Sequence, residues 1–368
     1  MITWRNGTVS GTRRDWPGAV ELDVSVDGTL VRALAYPALT GLPRPGDRVL
    51  LNTTALDLGL GTGGYALVVA LPDRLPADHE PGGHLVKARY TPLQATVAGA
   101  DEQGSAYYDV LRDADDIAGM PVVVADLHSA LPAVLAGVFD EAERTGYGSG
   151  RPRVAYVMQD SGALPAWFSL TCAALKDAGW LAATVTTGQA FGGDLETVTV
   201  HTGLLAARHV VQADIAVVAQ GPGNLGTGTR WGFSGVAAGE AVNAVATLGG
   251  RPVACLRVSE ADPRERHRGV SHHSLTAYGR VALARADVVV PDLPGSFGGR
   301  VAAQAAELGP RHSIITVPVD GLQTALEASP ARLSTMGRGL TDDLAYFLAA
   351  AAAGRHASRL LRGDAAAS

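Results

Sequence analysis

Residues 257–274, RVSEADPRERHRGVSHHS, bring together the side chains of this chain that could do chemistry. This Arg/His segment holds four arginines, three acids and three histidines, whereas charged residues make up 18% of the whole chain. Arginine binds carboxylates and phosphates through its planar fork, and imidazole exchanges protons near neutral pH. The segment therefore predicts a site for a small anionic ligand.

Within the Arg/His segment, we expect Arg264 and Arg268 to neutralise the anion and His272 or His273 to move a proton. Ser271 can cap a helix that begins near His272, and a helix N-terminus disfavours the imidazolium form. Neutral imidazoles in that position suit general-base or ligand roles. A solvated charge network, or one at a subunit contact, is the alternative that the sequence leaves open.

A divalent metal ion is another interpretation of the same segment. His267, His272 and His273, with Glu260 or Asp262, offer imidazole and carboxylate ligands. The spacing H-x-x-x-x-H-H is not a recognised ligand pattern, however, and adjacent helical residues point roughly 100° apart. We therefore assign no metal ligands from the sequence, and the cofactor is left open.

The glycine-rich loop, residues 221–235 (GPGNLGTGTRWGFSG), follows an apolar run and precedes a predicted helix. Free backbone N–H groups in such loops bind phosphate or carboxylate. The residues predicted to contact the ligand are Gly221, Gly223, Asn224, Gly226, Thr227, Gly228 and Thr229. The loop also fits the dinucleotide spacing G-x-G-x-x-G, but Gly59, Gly61 and Gly64 fit it too in an incompatible context. The spacing alone does not indicate a nicotinamide site.

Polar residues also follow other predicted strands. If the sheet is parallel, the loops that carry His128, Asp160, Ser161 and Asp194 meet the Arg/His segment at one edge. We predict that Asp160 assists the histidines and that the other three line the ligand site. Helix capping is the alternative for Ser129, Ser161 and Asp194, because serine and aspartate are common N-cap residues.

The first eighty residues predict a small β-barrel of the oligonucleotide-binding or SH3-like kind. Short alternating runs separated by turn signals indicate five strands, at residues 8–12, 19–26, 30–36, 48–53 and 65–70. Asp27-Gly28 is a two-residue hairpin signal. We place this domain at residues 1–80, followed by a connecting strand and linker at 81–118, with the strand near 84–97.

Residues 119–340 predict a mostly parallel, doubly wound α/β domain. Apolar strands recur about every thirty residues, near Val122, Val154, Ala183, Ile215, Val253, Val288 and Ile314. Seven units are one fewer than an eight-unit barrel requires, which favours an open sheet. A C-terminal helix and tail occupy 341–368, with the helix expected to end at Gly354.

Composition excludes several classes of function. Lys87 and Lys176 are the only lysines among 30 basic residues, and neither lies in a phosphate loop or pyridoxal context, so we expect both at the surface. No G-x-S-x-G serine-hydrolase elbow is present. A net charge of −6 with dispersed arginines argues against nucleic acid as a partner.

The chain has no apolar run near the roughly 20 residues needed to cross a bilayer, so no membrane partner is expected. No secretory signal is present at the N-terminus, which predicts a cytoplasmic protein. Cys172 and Cys255 are unclustered, as expected for reduced, buried thiols.

Several long motifs resemble one bacterial family that is catalogued only as a domain of unknown function, number thirty-eight sixty-six. They include LNTTALDLGLGTGGY (51–65), AFGGDLE (190–196), the glycine-rich loop and ADPRERHRGVSHHSLTA (261–277). The resemblance covers residues from about 2 to 338 and implies a bacterial protein. It implies no substrate, cofactor or catalytic residue.

The sequence thus predicts a cytoplasmic α/β enzyme that acts on a small anionic or nucleotide-like ligand by hydrolysis or group transfer. The alternative is a non-catalytic ligand-binding or scaffold protein that uses its β domain for partner contact. Homo-oligomer formation is left open.

Overall fold

A computed structural model of the protein describes residues 1–60, 63–78, 82–147 and 150–365. They divide into two compact units. The first comprises Met1–Ala98 and Trp167–Ala173, and the second comprises Gly99–Ala166 and the chain from Ala174 onward. The β hairpin that follows residue 80 groups with the first unit.

The first unit contains a closed five-stranded barrel, as the sequence predicted. Its strands, in the order β1-β2-β3-β5-β4 around the barrel, are β1 (Trp4–Trp16), β2 (Ala19–Val26), β3 (Thr29–Ala35), β4 (Arg48–Asn52) and β5 (Ala66–Ala70). Asp27 and Gly28, with φ of 49° and 81°, form the tight turn between β2 and β3. Both residues need positive φ in the hairpin turn that matches strand twist.

The other elements of the first unit are short. They are α1 (Pro37–Thr40), α2 (Thr54–Asp57) and an antiparallel hairpin of β6 (Leu85–Lys87) with β7 (Ala95–Val97). Lys87 is buried, so the prediction of a surface position for this lysine was wrong. Gly61, in the G-x-G-x-x-G match of this unit, lies outside the described residues.

The second unit contains an open sheet of eight parallel strands. These are β8 (Pro121–Val124), β9 (Val154–Gln159), β10 (Ala183–Thr186), β11 (Leu195–Glu196), β12 (Ile215–Gln220), β13 (Arg251–Cys255), β16 (Asp287–Asp292) and β17 (Ser313–Pro318). Their order in the sheet is β11-β10-β9-β12-β8-β13-β16-β17. All seven predicted strands are present, and the open parallel sheet is confirmed. The sequence missed β11 because two residues carry no readable pattern.

Two short antiparallel hairpins lie outside this sheet, and helices connect its strands. The hairpins pair β14 (Val258–Ser259) with β15 (Gly269–Val270) and β18 (Ser334–Thr335) with β19 (Arg338–Gly339). The helices are α3 (Tyr108–Leu111), α4 (Leu131–Thr145), α5 (Leu170–Asp177), α6 (Val200–His209), α7 (Ala237–Thr247), α8 (His272–Thr276), α9 (Gly295–Ala306), α10 (Leu322–Glu327) and α11 (Leu344–Ala365). In the described part of the chain, no helix combines the length and apolar character needed to cross a membrane.

The chain leaves the neighbouring strands β8 and β13 in opposite directions across the sheet. From β8 it passes through α4 to β9, on one side, whereas from the neighbouring β13 it continues to β16, on the other side. In open α/β sheets, ligands bind outside the carboxyl ends of the strands at such a switch point. The Arg/His segment begins directly after β13 and so starts at this edge.

Helix α11 continues eleven residues beyond Gly354, where we predicted that it would end. Gly354 lies inside the helix because α11 packs closely on α4. A Cβ atom at Gly354 would lie 1.9 Å from the backbone oxygen of Val134, and one at Gly137 would lie 1.8 Å from that of Ala351. These glycines mark a close helix contact rather than a helix end.

We expect Gly354→Ala to destabilise the protein by about 1–3 kcal/mol, because rigid backbone must move to admit the methyl group. Gly299→Ala is the matched control, since Gly299 is an exposed residue of α9, and apart from its neighbours and its own helix backbone no described atom lies within 4 Å of its Cβ position. Alanine favours the helix there, so stability should rise by about 0.5–1 kcal/mol. Urea unfolding of both variants checks the prediction, and equal effects would contradict it.

Candidate functional site

Two buried side chains hold the carboxyl ends of the central strands together. The Tyr278 hydroxyl lies 2.7 Å from the Val124 oxygen of β8 and 3.1 Å from the Cys255 oxygen of β13. Gln220, at the end of β12, donates from Nε2 to the backbone oxygen of Asp126 at 2.6 Å. Three adjacent strands therefore form a fixed base for the loops above them.

Three imidazoles converge above this base. In the histidine cluster, His267, His272 and His273, the ring centroids are 4.4–5.0 Å apart, and one potential ligand atom from each lies within 4.8 Å of the others. Adjacent helical residues were expected to point roughly 100° apart, yet the ring centroids of His272 and His273 lie 4.4 Å apart. His267 lies in the connection between β14 and β15, where the chain turns back towards the start of α8. That helix begins at His272 as predicted, and Ser271 Oγ caps it by accepting from His273 N at 3.2 Å.

Outer contacts fix two of the three rings. His267 Nδ1 is 2.7 Å from Ser271 Oγ, and the ring of His273 stacks on Phe233 with centroids 3.8 Å apart. Arg257 donates from Nη1 to His273 Nδ1 at 3.3 Å. By contrast, Nε2 of His272 is buried and has no hydrogen-bond partner among the described residues.

The histidine cluster is electrically neutral at physiological pH. Burial, together with the charge of Arg257, lowers the pKa of His267 to about 3 and that of His273 to about 2. The pKa of His272 is lowered by burial and by Arg266. We expected neutral imidazoles from the helix N-terminus, and the direction agrees, but burial and nearby arginines are the causes.

Asp126 is a site residue that the sequence analysis missed. Its carboxylate is buried, Oδ2 has no hydrogen-bond partner in the described part of the chain, and this atom lies 3.9 Å from His273 Nδ1. Burial raises the pKa of Asp126 to about 6, against the opposing charge of Arg257. Its position directly after the apolar run of β8 was the available signal.

Two buried carboxylates, Asp262 and Asp343, hold Arg264 of the Arg/His segment and Arg338 from outside it. Arg264 forms a bidentate pair with Asp262, with distances of 2.9 and 2.8 Å. Arg338 bridges Asp262, at 3.3 Å, and Asp343, at 3.0 Å. Ser259 Oγ donates to Asp343 at 2.6 Å. The fork of Arg264, which we expected on a ligand, is therefore held by Asp262.

The glycine-rich loop folds back on itself as a hairpin. Thr227 N donates to Gly232 O at 2.8 Å, and Ser234 N donates to Leu225 O at 3.0 Å. The guanidinium of Arg266 lies against the loop, with Nη2 3.6 Å from the Cβ position of Gly228. Because Phe233 at the base of the loop stacks on His273, the structure joins the glycine-rich loop to the Arg/His segment.

The predicted ligand contacts of this loop differ in their surroundings. Asn224 Oδ1 accepts from Gln220 Nε2 at 2.9 Å and lies 3.2 Å from Ser234 Oγ, while the hydroxyls of Thr227 and Thr229 are 3.1 Å apart. Gly221 packs against the turn after β9, where Ala163 N donates to Pro222 O at 2.8 Å, and Gly223 adopts a φ of 88°. Among the described contacts, the N–H groups of Gly226, Gly228 and Thr229 make no hydrogen bond.

Two further predicted residues, Asp160 and Asp194, follow strands β9 and β10, which lie beyond β12 in the sheet. Asp160 Oδ2 accepts from Gln189 N at 2.8 Å, beyond β12. Asp194 accepts from Thr184 N at 2.8 Å and pairs with Lys176.

Three predicted residues remain: His128, Ser161 and Arg268. His128 Nδ1 is 2.9 Å from the Tyr156 hydroxyl. Ser161 is partly exposed in the turn after β9, and Arg268 is exposed after the turn that carries His267.

The family described as "Protein of unknown function (DUF3866)" matches residues 32–354, which include every strand of the parallel sheet. The chain belongs to this family. The match confirms the resemblance drawn from the motifs. No protein with a curated description matches the chain. The description of the DUF3866 family names no activity, so function must be argued from the site.

We expect Asp262→Asn to lower the free energy of unfolding by about 3 kcal/mol at pH 7, because it removes the charge that compensates two arginines. Burial alone would raise the pKa of Asp262, but hydrogen bonds from Arg264 and the charge of Arg338 lower it overall. The stabilisation is therefore complete above the unfolded pKa of about 3.9 and is lost as the pH falls below it.

Chemical denaturation of the parent protein and the variant at pH values above and below the unfolded pKa tests the prediction. The difference between their free energies of unfolding should become smaller as the solution is acidified. Asp113→Asn is the control, because Asp113 forms an exposed pair with Arg112 and its loss should leave stability unchanged within error. A pH-independent difference for Asp262→Asn would contradict the assignment.

Proposed function

We propose that the protein is an enzyme that acts on a small anionic or nucleotide-like ligand by hydrolysis or group transfer. The supporting observation is the concentration of unpartnered buried groups at one place. Among the described residues, three buried side-chain atoms lack a hydrogen-bond partner, Asp101 Oδ1, Asp126 Oδ2 and His272 Nε2. The last two belong to the switch point of the sheet. Such atoms are rare in folded proteins because desolvation is costly, so a ligand that completes them is favoured.

The surroundings of the histidine cluster favour an anion. Arg266 is exposed, and no hydrogen bond or ion pair holds its guanidinium within the described part of the chain. It lies beside Gly228, where successive backbone N–H groups are also free. A guanidinium and backbone donors on one loop bind phosphate or carboxylate oxygens well.

In this proposal, Arg266 and the glycine-rich loop hold the anion, and the histidine cluster binds and orients the attacking oxygen. Asp126 takes the supporting role that we predicted for Asp160, because its carboxylate is the one that adjoins His273. Phe233 fixes the His273 ring by stacking, so the cluster has a defined orientation before any ligand arrives.

The binding part of the proposal is tested with inorganic phosphate and adenosine monophosphate by isothermal titration calorimetry. Arg266→Ala should weaken binding by roughly tenfold, the effect of losing one charge-assisted hydrogen bond. Arg280→Ala is the matched control, because Arg280 is also exposed and lies outside the site. Absence of binding by the parent protein, or equal effects of the two variants, would overturn the proposal.

The catalytic part is tested by turnover of phosphate esters and anhydrides. We expect His272→Ala to lower turnover by about 100-fold or more. The melting temperature should change little, because no hydrogen bond holds His272 Nε2. His201→Ala, at an exposed position of α6, should behave as the parent does. Anion binding without turnover would refute the catalytic role and favour the non-catalytic ligand-binding protein.

A further inference from the structure

The histidine cluster has the composition of a metal centre. We infer that His267, His272 and His273 bind one divalent transition-metal ion of the Zn²⁺ class, with a further position open to water or an anionic ligand. This inference rests on the proposed function in its choice of site and adds the group that would activate the attacking oxygen. Three protein ligands with an open position are typical of catalytic rather than structural zinc sites.

The convergence of the rings supports this inference. One nitrogen from each imidazole lies within 4.8 Å of the other two, so shifts of about 1 Å would bring all three to the metal–nitrogen distance of about 2.0–2.1 Å. His272 Nε2 is buried and unpartnered among the described residues, as a ligand atom without its metal would be.

Outer contacts also suit metal ligands. A ligating histidine normally uses one ring nitrogen for the metal and donates from the other to a carboxylate, carbonyl or hydroxyl. His267 Nδ1 contacts Ser271 Oγ at 2.7 Å, and His273 Nδ1 faces Asp126 Oδ2 at 3.9 Å. Both contacts lie on Nδ1, which leaves Nε2 of each ring for the metal.

Arg257 imposes a specific exchange at His273. It donates to Nδ1 at 3.3 Å, which places the ring proton on Nε2. Metal binding through Nε2 requires that the ring proton lie on Nδ1. From there it can be donated in a hydrogen bond to Asp126 Oδ2. Arg257 can then turn to Asp262, whose Oδ2 lies 3.9 Å from Nη2. Asp126 is thus a positioning residue for the metal.

The local charges permit a cation despite the nearby arginines. Three of the four guanidinium groups near the cluster are matched by three carboxyl groups, in the set Arg257, Arg264, Arg338, Asp126, Asp262 and Asp343. The fourth, Arg266, is exposed to solvent, which screens its charge. Because arginines hold the carboxylates of Asp262 and Asp343, the ligands that the histidine cluster provides are imidazoles. Imidazole suits zinc, cobalt and nickel, whereas magnesium and calcium require oxygen ligands.

The test is titration of the chelator-treated, full-length protein with Zn²⁺ and, separately, with Co²⁺, whose visible absorption reports nitrogen ligation. We expect one equivalent to bind. His272→Ala should abolish binding, Asp126→Asn should weaken it by about 10–100-fold, and His201→Ala should leave it unchanged. His272→Gln serves as a second variant if the alanine variant fails to fold.

The inference is overturned if the parent protein binds neither metal, if the His272 variants bind as the parent does, or if Mg²⁺ or Ca²⁺ binds more tightly than Zn²⁺. If neither metal binds but phosphate still does, the proposed anion site stands and only the metal centre is refuted. Metal binding without any anion binding would support the metal centre while contradicting the proposed function.

Discussion

The arrangement of the site depends on the ion pairs that the buried carboxylate of Asp262 forms with nearby arginines. It binds the fork of Arg264, contacts Arg338 from the segment before α11, and faces Arg257. An uncompensated guanidinium in this buried region would carry a large desolvation cost. Asp262 compensates these positive charges and so holds the Arg/His segment over the end of β13. The imidazoles of the described structure form no ion pair with Asp262.

Because the arginines are satisfied in this way, the histidines can be buried as neutral groups. His273 stacks on the ring of Phe233 and accepts a hydrogen bond from Arg257, and these two contacts orient the ring without charging it. The sheet below is equally constrained, since Tyr278 ties β8 to β13. The atoms that remain unpaired are therefore held by a rigid frame, and preorganisation of this kind is what a binding or catalytic site requires.

The sequence predicted those parts of the fold that depend on local pattern. Alternating and continuous apolar runs placed the barrel and seven of the parallel strands, because burial imposes a period that can be read directly. Features set by distant contacts could not be read this way. Strand β11 is defined by pairing with β10, and Gly354 lies within α11 because of a close contact with α4. Neither partner is visible in the local sequence.

The same distinction explains the outcome at the site. The density of charged residues singled out the Arg/His segment, and this segment lies at the carboxyl edge of β13, as the sequence predicted. The local density of charged residues does not indicate which of them form ion pairs. One partner of Asp262, Arg338, lies 76 residues away in sequence. In a compact cluster most charges neutralise their neighbours, so an arginine such as Arg264 is a structural partner despite its ideal chemistry for anions. Function is better sought in the groups that such pairing leaves over, here Arg266 at the surface and His272 and Asp126 in the interior.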